Sequence, residues 1–489
     1  MVFPLLVLCP SAGAKIEDRA WHRLTQNRLE LITDLKPSKA QALLRELELF
    51  QGVVERYVPS RDGFDDDLQI LLFARRRDFT RLFRPRHFGA FTLPQLTQTR
   101  LVVAPSGERA SLRKNLLHEY VHYRVRASIS ELAPVWFEEG LATLLADVEF
   151  ATMGDDKPRL APNISVLGRW PGYSGLKPFP LRRLFAARGV EGFSKNEAFE
   201  FYTTSHHLVR ELLLANRFDR DALNGFVFKQ SPTIEQLFGR PQRELNRSLR
   251  LSYERAGPAL MVKPLKPSQP NADAQIEDVA GDELLQLLGQ TLVSINPRGA
   301  QQLFDRLTGL KPSSTAGWLG TAAALASQDK QVEAMRAFEQ AQHLEPDAPD
   351  VHIARALLAT RDCMLRRDEQ CFGAWRGAVA DLRRGLFDAP DRFDAIYRLG
   401  QAHLYLGQPG EAVNYLAIAA TRAPWSARVN YFLGEAYRLL GDSRARTHLQ
   451  RAERWAGSEF FRKSAAAALA ELARGGERAV TNADPTSTR

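Results

Sequence analysis

The stretch NLLHEYVHYRVRASISELAPVWFEEGLATLL, residues 115–145, gathers two histidines, four glutamates and a tryptophan into a segment otherwise apolar enough to be core. Leu112, Leu116, Leu117, Tyr120, Val121 and Val125 cover much of the circumference of a helix, so this helix is expected to be buried. Its polar side chains then need partners. His118 and His122 are four residues apart, which projects both imidazoles from one side, where they can grip a single zinc ion. Glu119 would then stand beside a metal-bound water as general base. A catalytic zinc wants a third protein ligand, and Glu138 and Glu139 are the candidates, on a second helix expected to begin near Pro134. Neighbouring helical residues point about 100° apart, so only one can face the metal. Phe137, Leu141, Leu144 and Leu145 define the apolar face and Glu139 lies away from it, so periodicity leaves the choice open. The rival reading is two ordinary amphipathic helices that share polar edges.

The pair HEYVH and LAPVWFEEGLA resembles the gluzincin metallopeptidases, and most of all the peptidase-MA-like domains, where HExxH is followed by a Pro-x-Trp-x-x-Glu-Gly-Leu-Ala helix. The resemblance implies that the glutamate directly before the glycine, Glu139, is the third zinc ligand, with one Zn2+ per chain held by His118, His122 and Glu139. It also implies a peptide or protein substrate and an α+β metallopeptidase domain: a mixed sheet, an HExxH helix and a glutamate helix. WHRLTQNRLELITD is similar to the opening strand of such domains, LQILLFARRRDFTRLF and TRLVVAP to later strands, and FYTTSHHLVRELLL to the helix that follows the site. Related enzymes use a tyrosine or histidine from that helix to stabilise the oxyanion, which makes Tyr202 the first choice and His206 the second. A tyrosine in an apolar helix also has a plain packing role.

Beyond the motif, 489 residues are too many for one hydrophobic core. The balance of 44% hydrophobic and 25% charged residues is that of a globular protein, and no apolar run approaches the roughly 20 residues that span a bilayer. The net charge of +9 sits early, with 38 Lys+Arg against 30 Asp+Glu in residues 15–260. Arg75, Arg76, Arg77, Arg81, Arg84 and Arg86 raise nucleic acid as a partner, but Phe79 and Phe83 interleave with them as in a packed amphipathic helix, so no nucleic-acid partner is expected.

Residues 1–14, MVFPLLVLCPSAGA, have a short apolar run followed by a small-residue pattern of the kind signal peptidase cuts, and are read as an export signal or else a buried first strand. Export to the periplasm or the extracellular space, with cleavage after Ala14, would remove Cys9 and leave Cys363 and Cys371 to pair; in a cytosolic protein they would be two reduced, packed cysteines. The metallopeptidase domain is assigned to 15–260. Residues 261–280 belong to a Pro-rich, polar stretch that reads as a linker, and 475–489 as a disordered tail.

Between them, 281–474, the sequence repeats. Prolines at 312, 346, 390 and 424 are 34, 44 and 34 residues apart, and a 34-residue period with proline after the second helix marks the tetratricopeptide repeat. Trp318, Ala334, Phe338 and Ala341 match in one unit, Leu399, Gly400, Ala412 and Ala419 in another, and Leu433, Gly434 and Tyr437 open a further one. In 281–314 Ala300, Phe304 and Pro312 match but the tryptophan and glycine do not. The 44-residue unit carries an insertion bracketed by Cys363 and Cys371. An all-α tetratricopeptide solenoid is expected, with a protein or peptide partner on its concave face. The whole reads as a zinc-dependent metallohydrolase of peptidase type; the alternative is a non-enzymatic repeat interaction protein carrying an inactive metallopeptidase-like domain.

Overall fold

The computed structural model describes residues 15–481 apart from 59–67, 84–89, 95–98, 106–111, 129–132, 151–158, 161–176, 191, 215–236, 255–259, 262–273, 364–367, 391 and 457. The expected export signal, Cys9 and Arg84 and Arg86 of the basic cluster lie outside these residues.

The segment WHRLTQNRLELITD, expected as one strand, makes a hairpin of β1 (His22–Gln26) and β2 (Leu29–Thr33). Asn27 in its turn has φ +53°, the left-handed conformation that asparagine tolerates best after glycine. Helix α1 (Pro37–Tyr57) leads to β3 (Leu68–Leu72), α2 (Arg76–Phe83), β4 (Ala90–Pro94) and β5 (Thr99–Val103). Thus LQILLFARRRDFTRLF is a strand followed by a helix, with Phe79 and Phe83 buried as the amphipathic reading requires. Helices α3 (Leu112–Ser128) and α4 (Val135–Ala146) follow, then the short β6 (Val148–Glu149) and β7 (Arg159–Leu160). Next come α5 (Leu181–Ala186), α6 (Lys195–Leu214), α7 (Gln242–Glu254), β8 (Leu260–Met261) and β9 (Gln275–Asp278).

Six strands form a mixed sheet in the order β4-β5-β3-β2-β1-β9. Its parallel centre is β2, β3 and β5, and β4, β1 and β9 run antiparallel to their neighbours. Every residue of β3 and β5 is buried, which requires cover on both faces. Alternation along the strands splits them cleanly. Leu68, Ile70, Leu72, Leu101 and Val103 point to the core shared with α1, α3 and α4. Leu71, Phe73 and Val102 point the other way, to Phe79 and Phe83 of α2 and to Leu284, Leu285, Leu288, Leu292 and Phe304.

Those last residues belong to α8 (Gly281–Leu292) and α9 (Pro297–Leu310), the first hairpin of the repeat region. This corrects the linker expected over 261–280: residues 275–278 are the edge strand β9, paired with β1, and the chain runs straight from it into α8. Polar composition concealed the strand because all four of its side chains are exposed. A row of polar side chains fixes the hairpin to the sheet. Glu30, Gln69 and Arg100 sit opposite one another on adjacent strands. Arg23 Nε donates to Glu30 (2.8 Å) and Gln69 Nε2 to Glu30 (3.1 Å), while the buried Arg100 donates to Gln69 and to Thr291 of α8. Burial pushes the Arg100 guanidinium down to about 10, against the field of Glu30.

The repeat region continues as α10 (Thr315–Ala326) and α11 (Gln331–Leu344), α12 (Pro349–Ala359) and α13 (Glu369–Asp388), α14 (Phe393–Tyr405) and α15 (Pro409–Arg422), and α16 (Ala427–Leu439) and α17 (Arg444–Trp455). With α8 and α9 these are five antiparallel hairpins at the expected period, closed by α18 (Glu459–Thr481). A Cβ on Gly400 would meet Leu416 at 2.5 Å, and one on Gly434 would meet Leu449 at 2.8 Å, so the glycines let paired helices cross closely. In the first hairpin Gly289 does the same against Phe304 (2.6 Å), one place later than the consensus register. The disorder expected from residue 475 is corrected as far as Thr481, to which α18 carries the helical backbone; residues 482–489 lie outside the described residues. Cys363 and Cys371 are bridged, with Cα atoms 5.2 Å apart, at the inserted turn.

The shared core and the bridge are each open to test. A chain ending at residue 260 loses β9 and uncovers Leu71, Phe73 and Val102, so it should aggregate or bind a hydrophobic dye under conditions where the full chain is soluble; a soluble, cooperatively folded fragment would contradict the packing. Opening the Cys363–Cys371 loop should cost about 2–3 kcal/mol and loosen the third hairpin alone, read by hydrogen exchange with and without reductant.

Candidate metal centre

Helix α4 packs between α3 and α6 and carries the two neighbouring glutamates into the interior. Pro134 precedes it, and the backbone N–H groups of Phe137 and Glu138 donate to the Pro134 carbonyl, so the helix starts where its proline withdraws no donor. Gly140 explains the glycine after the glutamates. A Cβ there would fall 2.4 Å from the backbone oxygen of Ser205 and 2.7 Å from Val209 of α6. Only glycine lets α6 press this closely against the turn that holds Glu138 and Glu139.

His118, His122 and Glu139 bring donor atoms together, the one such group of His, Cys, Asp or Glu among the described residues. The Nε2 atoms of His118 and His122 are 3.1 Å apart. Glu139 Oε2 lies 3.2 Å from His122 Nε2 and 3.4 Å from His118 Nε2. Ligand atoms held about 2.0–2.1 Å from a tetrahedral zinc lie about 3.3 Å from one another, so these three spacings are those of one face of a zinc tetrahedron. Glu139 Oε2 is buried and faces these two imidazole nitrogens. The donor set, two imidazoles and a carboxylate, is one that zinc accepts, and it leaves a fourth position open.

Glu138 does something different. Its Oε1 accepts from His122 Nδ1 (2.9 Å) and from Arg126 Nε (2.7 Å). Donation through Nδ1 fixes the ring and turns Nε2 toward Glu139 and His118. The two glutamates are therefore split between two tasks, one carboxylate at the convergence point and one behind the histidine. Burial opposes a charged His122, yet Glu139 and Glu138 outweigh it and push its pKa up to about 10. Burial alone would raise Glu138, but Arg126 and His122 bring it down to about 2. His122 and His118 likewise overcome burial and hold Glu139 well below the usual carboxylate range. A proton and a divalent cation therefore compete for the same nitrogens.

Glu119 follows His118 on α3, half-buried, and its charge acts on Arg126. Tyr202 and His206 lie on α6, on either side of the Ser205 contact with Gly140. The Tyr202 ring is half-buried and edge-on to Phe201. His206 is fully buried, and burial, His207, Arg210 and Lys114 keep its imidazole neutral, well below the ordinary value. Burial and Arg210 likewise push His207 down to about 3. Arg126 belongs to no motif, although His118, His122 and Arg126 recur every four residues and so share one stripe of α3.

No family model matches the chain, and no curated protein does. Solved structures similar to parts of it include the following three. A thermophilic TPR protein of Thermus thermophilus is 17% identical, covering 38% of this chain and 98% of its own, at a TM-score of 0.33. YrrB, described as a TPR protein with an unusual peptide-binding site, is 17% identical over 36% of this chain and 87% of its own, at a TM-score of 0.26. The pilF protein of Pseudomonas aeruginosa is 15% identical over 40% of this chain and 90% of its own, at a TM-score of 0.30.

Replacement of Glu138 by Gln should weaken zinc binding about 10–100-fold without removing a ligand, measured by competition with a chelator of known affinity. Gly140→Ala should destabilise the fold by about 1–3 kcal/mol in denaturant unfolding, because the new methyl group meets backbone rather than a movable side chain.

Proposed function

We propose that the chain is a zinc-dependent metallohydrolase of peptidase type, whose repeat region binds a protein or peptide. The observation that carries this reading is the trio of spacings, 3.1, 3.2 and 3.4 Å, among the donor atoms of His118, His122 and Glu139. Those three residues would hold the ion. When bound, zinc polarises a carbonyl and activates water at neutral pH. The chain's own residues supply the rest. Glu138 keeps His122 in the tautomer that offers Nε2. Glu119, next to His118 on the same helix, is the base that would take a proton on its carboxylate and return it to the leaving amine. Tyr202, with His206 as the second choice, would donate to the oxyanion of the tetrahedral intermediate. Five hairpins with helices crossing at small residues form the kind of surface on which repeat proteins hold extended partners, and that surface is assigned to substrate or partner binding. The bridge at Cys363 and Cys371 supports an exported protein.

Metal analysis and a peptide-library digest of purified protein test the proposal together. His118→Ala and Glu139→Ala should lose stoichiometric zinc. Glu119→Gln should keep the metal and lower hydrolysis by at least about 100-fold. Zinc retained in Glu139→Ala but lost in Glu138→Ala would reverse the assignment of the two carboxylates. A fully loaded wild-type chain that cleaves no peptide would favour the interaction-protein alternative.

A further inference from the structure

The solenoid touches the metal-bearing domain twice. Its first hairpin covers the sheet, and its far end returns to the helices of the metal centre. Trp425, between the fourth and fifth hairpins, is buried in the same core as α3 and α4 and meets the Tyr123 ring edge-on at 5.9 Å. Tyr123 is the residue after His122. Trp455 packs against that core as well. Beside it Arg454, half-buried at the end of α17, donates through its guanidinium to the carbonyl of Ala133, the residue before Pro134 at the start of α4. Arg454 also lies in the field of Glu138, Arg126 and Arg188. Nearby, Arg188 and Glu453 make an exposed ion pair at 3.3 Å.

We propose that Arg454 is a positioning residue for the metal centre: by holding the Ala133 carbonyl, the fifth hairpin sets where α4 begins and hence how Glu138 orients His122 and Glu139 meets the ion. Glu138 already has Arg126 and His122 as partners, so Arg454 adds no ligand and no direct bond to it. Its effect passes through the backbone entry to α4. The consequence is that the solenoid's far end and the metal share one rigid element, so a change at the fifth hairpin is felt at the ligands.

This inference rests on the reading of His118, His122 and Glu139 as a metal centre, and the experiment separates the two. Full-length chains, wild type and carrying Arg454→Ala, Arg454→Lys, Arg188→Ala or His118→Ala, are titrated with zinc against a chelator, and their cobalt-loaded forms are compared by visible absorption. Arg454→Ala should weaken zinc about tenfold and change the cobalt spectrum, because removal of an outer support typically costs 10–100-fold. Arg454→Lys, which keeps a charge and a donor, should recover most of both. Arg188→Ala, which breaks only the exposed pair, should match wild type. Unchanged affinity and spectrum in Arg454→Ala, with wild-type metal uptake, would reduce the contact to packing and overturn the inference. If Arg454→Ala does not fold, Arg454→Met, which keeps the apolar stem but removes every donor, takes its place: weakened zinc and an altered cobalt spectrum uphold the inference, and wild-type values of both overturn it. A wild-type chain that takes up neither metal, indistinguishable from His118→Ala, sinks the metal reading and this inference with it.

Discussion

Two adjacent carboxylates are buried on one helix, and neither can stay ionised there unless cationic or hydrogen-bonding partners meet it. Helical geometry separates Glu138 and Glu139 by about 100°, so one set of partners cannot serve both. Arg126 and the Nδ1 of His122 serve Glu138, and the Nε2 atoms of His122 and His118 serve Glu139. His122 therefore lies between the two, bonded on one ring nitrogen and offered on the other. The spacing His118, His122, Arg126 on α3, the glycine that admits α6 and the proline that starts α4 all serve to keep these groups in register.

The second constraint is cover for the sheet. A parallel centre of β2, β3 and β5 has two apolar faces, and α1, α3 and α4 occupy only one. The other is closed by α2 and by the first repeat hairpin, with Arg100 tying sheet to helix through Thr291. The solenoid is in this sense part of the first domain's core rather than an appendage. Its far end meets the α3–α4 region again at Trp425 and Arg454, so the helices that carry His118, His122 and Glu139 are held between the sheet on one side and the repeats on the other.

Much of this could be read from residues. The His118 and His122 spacing, the buried helix around it, the amphipathic placing of Phe79 and Phe83 and the 34-residue period all depend on local periodicity, which one sequence displays. The choice between Glu138 and Glu139 did not, because Glu138 lies at the edge of the apolar face of α4 and Glu139 away from it, and only tertiary partners separate their roles. The edge strand β9 was hidden for a related reason: its four side chains face solvent, so its one structural signal is the backbone pairing with β1. The covering of the sheet by α8 and α9 was equally hidden, since an apolar helix face shows that it needs a partner but not which one. Gly289 escaped the repeat consensus because it stands one residue out of register, although its contact with Phe304 is that of its counterparts.

X-ray absorption at the zinc edge of the full-length protein loaded with one equivalent of zinc addresses the convergence of His118, His122 and Glu139 most directly. The expected result is a shell of nitrogen and oxygen at about 2.0–2.1 Å, four-coordinate, with the outer scattering of two imidazoles. A sulfur shell near 2.3 Å, scattering from a single imidazole, or zinc that dialyses away would contradict it.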